Sequence, residues 1–124
     1  MAFLYHVKQD GSQADCWVVG EKPLVLGRGD SADAYVEDDA LSRSHFLIVR
    51  EKQEYFLIDL HSANGVWVNG QRVTARRLGS REFIQAGDST FCFSTEPVTT
   101  EVLMSAWMLP AIAALPQVKA EGRA

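Results

Sequence analysis

From Phe3 to Ser94 the apolar residues come in runs of three to five, cut by glycine, proline and charged clusters, and no helical period is sustained. That rhythm leaves short strands as the building elements. Candidates are Phe3 to Val7, Cys16 to Val19, Leu24 to Leu26, Ala34 to Val36, Phe46 to Arg50, Tyr55 to Asp59, Val66 to Val68, Arg72 to Val73 and Thr90 to Ser94, with Phe83-Ile84 as a further short one. Asn69-Gly70 lies between Val66-Trp67-Val68 and Gln71-Arg72-Val73, and both residues tolerate the positive φ of a tight hairpin turn. Glu51 to Glu54 reads as a second hairpin, and Ala86-Gly87-Asp88-Ser89 turns the chain into its last strand. Strands this short and this regularly spaced predict a sandwich or barrel.

With 124 residues there is chain for one domain with a hydrophobic core and a tail. A net charge of −4 repels a nucleic-acid backbone or an anionic membrane, so nucleic acid is not an expected partner and any bound phosphate must be captured locally. Met1 to His6 carries no basic segment followed by a long apolar stretch, which makes cytoplasmic residence the default expectation. Cys16 and Cys92 each sit in an apolar run and read as two buried free thiols, although sequence alone does not exclude a disulfide.

The composition changes after Glu96-Pro97, dividing the chain into a folded part, 1–96, and a tail, 97–124. Within the tail, Val102 to Leu109 favours helix and is apolar on nearly every face, Pro110 interrupts it, and Ala111 to Leu115 resumes. The run is too short to span a bilayer. An all-round apolar helix must be covered, either by the sandwich or by a partner or second copy docking on Val102 to Leu115.

Four polar features fall in order at strand-to-loop junctions: Gly27-Arg28, Ser42-Arg43-Ser44-His45, Asp59 to Gly65 and Asn69-Gly70. Junctions of this kind cluster at one end of a sandwich. Converging Arg28, Ser42, Arg43 and Asn64 would supply a bidentate cation, a hydroxyl donor, a second cation and an amide. Arginine matches phosphate oxygens in pairs, and an amide that both donates and accepts suits a peptide main chain, so the set describes a phosphopeptide site.

The order Gly-Arg, Ser-x-x-His, Ser-x-Asn-Gly and a second Asn-Gly resembles the forkhead-associated (FHA) domain family over about Leu24 to Phe93, and Gly87-Asp88 looks like the family's late Gly-Asp turn. The resemblance implies an all-β, two-sheet β-sandwich of about eleven strands that binds phosphothreonine peptides. It assigns Arg28 and Ser42 to the phosphate, Arg43 to the phosphate or nearby peptide, and Asn64 to the peptide backbone, with Ser44 and Ala63 as secondary contacts. His45, Gly27, Gly65, Asn69 and Gly70 would support the site structurally. Where many members carry threonine, this chain has Ala63, which removes one contact. The family's preference for phosphothreonine over phosphoserine rests on a pocket for the methyl group, a packing effect of about 1 kcal/mol or more.

Asp30, Asp33, Glu37, Asp38 and Asp39 lie between the two arginine loops, either as a solvated loop or as a charge that favours basic peptides. Gly27 to Ala32 fits a dinucleotide-binding spacing, but no helix follows it, and Arg28-Gly29-Asp30 matches an adhesion tripeptide only by chance. Ser42 and His45 lack a nucleophile elbow, and His6 and His61 have no cysteines at metal spacing. The expected function is therefore an adaptor in a Ser/Thr kinase pathway, not an enzyme, with no cofactor and no metal. The alternative is a phosphate-independent assembly module acting through the tail. Thr99-Thr100 raises self-recognition of a phosphorylated tail as a further option.

Overall fold

The computed structural model describes residues 1–8 and 13–97. The tail readings, Val102 to Leu115 and Thr99-Thr100, fall outside them. Eleven strands follow in order: β1 Ala2–Val7, β2 Gln13–Val19, β3 Leu24–Gly27, β4 Ala34–Tyr35, β5 Phe46–Glu51, β6 Glu54–Asp59, β7 Val66–Val68, β8 Gln71–Val73, β9 Ala75–Leu78, β10 Glu82–Ala86 and β11 Ser89–Ser94. They form a six-stranded sheet, β2-β1-β11-β10-β7-β8, and a five-stranded sheet, β4-β3-β5-β6-β9, in which only β3 and β4 pair in parallel. The all-β, two-sheet expectation matches this architecture.

Ten of the eleven strands carry the apolar runs read from the sequence. The eleventh, β9, does not, because Ala75-Arg76-Arg77-Leu78 places two cations in the middle of the strand. It forms because β6 has a free edge, on which Leu78 pairs with Tyr55 and Arg76 with Leu57. As an edge strand it keeps both charges paired: Arg77 points outward, its Nη1 meeting Glu54 Oε2 at 2.6 Å, while Arg76, on the core-facing side at the rim, reaches across to the other sheet, its Nη1 meeting Glu82 Oε1 at 2.7 Å.

Alternation along the strands puts Leu4, Val19, Leu26, Phe46, Ile48, Leu57, Val66, Ile84, Phe91 and Phe93 into one core between the sheets. Phe46 from one sheet meets Phe91 from the other edge-to-face, with ring centroids 6.0 Å apart, a favoured arrangement of the two ring quadrupoles. β1 and β11 are apolar on both faces. Their outward residues Tyr5, Val7 and Cys92, with Phe83 of β10, form a second buried cluster against which Phe3 packs.

Both cysteines are free, but only Cys92 is buried; Cys16, on the edge strand β2, is exposed. The expectation of two buried thiols is corrected accordingly. Both are register partners of Tyr5, one on each side of β1, which separates their Cα atoms by two strand spacings, ~9.5 Å, beyond the ~7 Å that a disulfide spans.

Candidate functional site

The site is built where β3, the β4–β5 connection and the β6–β7 connection meet. Gly27 and Gly29 run alongside the backbone of Ser42-Arg43: Arg28 N donates to Ser42 O at 3.1 Å and Gly29 N to Arg43 O at 3.0 Å. A Cβ on Gly27 would lie 2.1 Å from Arg43 O, so this approach requires glycine. The same approach sets Arg28, Ser42 and Arg43 side by side. Arg28 Nε donates to Leu41 O at 2.7 Å, which fixes the guanidinium plane and leaves its two terminal nitrogens for a ligand. Among the described residues neither Arg28 nor Arg43 forms an ion pair.

His45 is fully buried and joins two of the loops. Its Nδ1 accepts from Ser42 N at 2.9 Å and its Nε2 donates to Gly65 O at 2.8 Å, an arrangement that places the ring proton on Nε2. Its own backbone bonds Leu26 O and Leu60 N, adding β3 and the end of β6 to the same bracket. Ser42 Oγ accepts from Ala63 N at 3.1 Å, which leaves the hydroxyl proton available to donate. Asn64 Nδ2 donates to Ala40 O at 2.8 Å, holding its amide at the edge of the same surface. Ser44 is exposed and makes no hydrogen bond among the described residues.

The β6–β7 loop shapes itself: Ser62 N donates to Asp59 Oδ1 at 3.1 Å and Gly65 N to Ser62 Oγ at 3.0 Å, with His61 at φ 56° and Gly65 at φ 84°. Asn69-Gly70 does not join this group. The register Val66–Ala86 and Val68–Ile84 puts the turn at the opposite end of β7, where Asn69 Oδ1 accepts from Phe83 N and Asn69 Nδ2 donates to Glu82. With φ of 50° and 85° the pair makes the expected hairpin turn, so three of the four junctions converge and the fourth braces the sheet.

Sequence reasoning missed Asp38. Its Oδ2 accepts from Asp88 N at 2.8 Å and Ser89 Oγ at 2.7 Å, and its Oδ1 accepts from Ala40 N at 2.9 Å. The carboxylate thus fastens the loop carrying Ala40, Leu41 and Ser42 to the β10–β11 turn. Gly87 is needed in that turn because its φ is 58° and a Cβ would stand 2.9 Å from Asp38 Oδ2. Asp33 is also bound, accepting from Val25 N at 2.9 Å, so these two of the five clustered acids are structural. An aspartate two residues ahead of an amide it can accept from was the available sign, hidden in an acidic run.

The sandwich thus carries, at one end of its sheets, two guanidiniums without ion pairs among the described residues and an oriented hydroxyl. The family model for the FHA domain matches residues 24–87, and the chain belongs to the FHA family. Glycogen accumulation regulator GarA of Mycobacterium tuberculosis is 31% identical over 91 residues, 73% of this chain and 56% of that protein. The chain therefore spans little more than half the length of this curated relative. Two solved structures are similar: the FhaA FHA domain complexed with an intracellular domain, at 30% identity and TM-score 0.68, covering 75% of this chain and 99% of that one; and Mycobacterium tuberculosis EmbR in complex with a low affinity phosphopeptide, at 27% identity and TM-score 0.70, covering 79% of this chain and 25% of that one.

Proposed function

We propose that this chain is a phosphothreonine-peptide binding module, acting in the cytoplasm as a signalling or assembly adaptor downstream of a Ser/Thr kinase. The observation that carries the reading is Arg28, tied by Nε to Leu41 O and without an ion pair among the described residues, on a backbone that runs hydrogen-bonded alongside Ser42 and Arg43. A phosphate monoester near pH 7 carries a charge of about −1.5 to −2 and three acceptor oxygens, and this set supplies two cations and a hydroxyl donor. The EmbR complex with a phosphopeptide supports the same ligand class in a related fold. Asn64 then holds the peptide main chain with the amide valences left by its bond to Ala40.

Titration of a fluorescent phosphothreonine peptide library into the wild type and Arg28→Ala tests this, with unphosphorylated and phosphoserine peptides as controls. Charge-assisted hydrogen bonds contribute about 1.5–3 kcal/mol each, so Arg28→Ala is expected to weaken binding roughly 10- to 100-fold. A loss below about threefold would remove Arg28 from the site. If no peptide binds either protein, the sandwich is a platform for phosphate-independent assembly.

A further inference from the structure

Arg72 lies outside the set of residues that the motifs single out, yet its side chain reaches the binding loop. It stands opposite Trp67 in the β7–β8 pair, and its Cζ sits 5.5 Å from the centroid of the indole. From there the guanidinium extends to Gly65: a Cβ on that glycine would be 2.8 Å from Arg72 Nε, 2.9 Å from Nη2 and 3.0 Å from Cζ. Gly65 is the residue after Asn64, one Cα spacing of ~3.8 Å along the chain.

The cation is thus held in place twice, by the indole face and by the bare glycine, while the residue as a whole remains exposed. Among the described residues it has no carboxylate partner, whereas Arg76 and Arg77 on β9, the next strand along the chain, are both ion-paired. A stacked guanidinium has already lost most of the side-chain freedom that an exposed ion pair normally costs, so it can bind a carboxylate more effectively than a free surface arginine.

We infer that Arg72 is a specificity residue that reads an acidic side chain flanking the phosphothreonine in the bound peptide. The inference rests on the phosphopeptide reading. A peptide anchored at Arg28 and Ser42 and held by the Asn64 amide passes the Gly65–Arg72 contact, where a Glu or Asp a few residues from the phosphate can form a bidentate pair. It also gives Gly65 a second reason to be glycine: any side chain there would displace the cation.

The test is a set of phosphothreonine peptides with a single Glu moved through the four positions on each side of the phosphate in an alanine background. Each is titrated into wild type, R72Q and R72K at low and high salt. The expected result is a preference of about three- to tenfold for Glu at one position or two adjacent ones, weakened by salt, absent in R72Q and reduced in R72K. Affinity for the all-alanine phosphopeptide in each protein is the reference against which that protein's preference for Glu is read. A preference that survives in R72Q, or none in the wild type while phosphothreonine binding persists, would overturn the role of Arg72 and leave the phosphopeptide reading standing. If no phosphopeptide binds the wild type, both readings fail together.

Discussion

The backbone amide of Ala63 donates to the side-chain oxygen of Ser42 at 3.1 Å, linking the β4–β5 and β6–β7 loops. Residue 63 therefore acts through its main chain, and on the phosphopeptide reading the hydroxyl absent from its side chain is a loss to the ligand rather than to the architecture. Its side chain is exposed. Ala63→Thr is expected to leave the melting temperature unchanged and to tighten phosphothreonine binding about two- to tenfold, the worth of one added hydrogen bond. An unchanged affinity would place position 63 beyond reach of the peptide.

Removing the His45 imidazole leaves the part-buried Ser42 N–H and the buried Gly65 C=O without these partners. His45→Ala is expected to cost about 2–5 kcal/mol, read as a lower urea midpoint, because unsatisfied buried groups cost about 1–3 kcal/mol each. Phosphopeptide affinity should fall as well, since the same two bonds position Ser42 against the β6–β7 loop.

Asp38→Ala should show a different balance. It removes three hydrogen bonds at a partly exposed site, so a stability loss of about 1–3 kcal/mol is expected, together with a measurable loss of affinity because Asp38 steadies the loop that carries Ser42. Gly87→Ala should reproduce both effects from the other side of the contact. Full affinity in both variants would show that the loop carrying Ser42 holds its shape without this fastening.

His6 stacks on Phe91 with centroids 5.1 Å apart, and burial pushes its pKa below the ordinary 6.5, opposed by the carboxylates of Asp15 and Asp38. Because the folded value lies below the unfolded one, the stabilising contribution is complete above pH ~6.5 and is lost as pH falls through the folded value. Urea midpoints measured from pH 7 to pH 5 should drop more in the wild type than in His6→Gln. Parallel curves would remove His6 as a cause.

The two thiols should separate by reactivity. Burial pushes Cys92 up to about 11 and also raises Cys16, which is exposed. A maleimide at pH 7.5 is expected to label Cys16 first and Cys92 only on unfolding, as counted by intact mass. Two labels on the native protein would contradict the burial of Cys92.

Much of the sandwich was readable because strands such as Phe46–Glu51 and Glu54–Asp59 announce themselves by apolar content and by the turns between them. Strand β9 was not, because its cause is the open edge of β6, which no local pattern records. The same division runs through the site. Gly27-Arg28 and Ser42 to His45 were visible as motifs, but the reason for the glycine is an Arg43 carbonyl brought close by folding. Asn69-Gly70 was correctly read as a turn and wrongly expected at the binding end, because register, not turn chemistry, decides which end of a strand a turn occupies. Arg72 gave no sign at all, since its relevance depends on stacking against a residue on the opposite strand of a hairpin.

The bond from Asp88 N to Asp38 Oδ2 joins residues 50 apart in the chain. As the protein is synthesised, Arg28, Ser42 and Asn64 all emerge before the turn that steadies their loop. On the phosphopeptide reading, recognition is then a property of the finished domain: a nascent or truncated chain that carries Arg28, Ser42 and Asn64 but lacks β11 would not compete with completed copies for a phosphorylated partner.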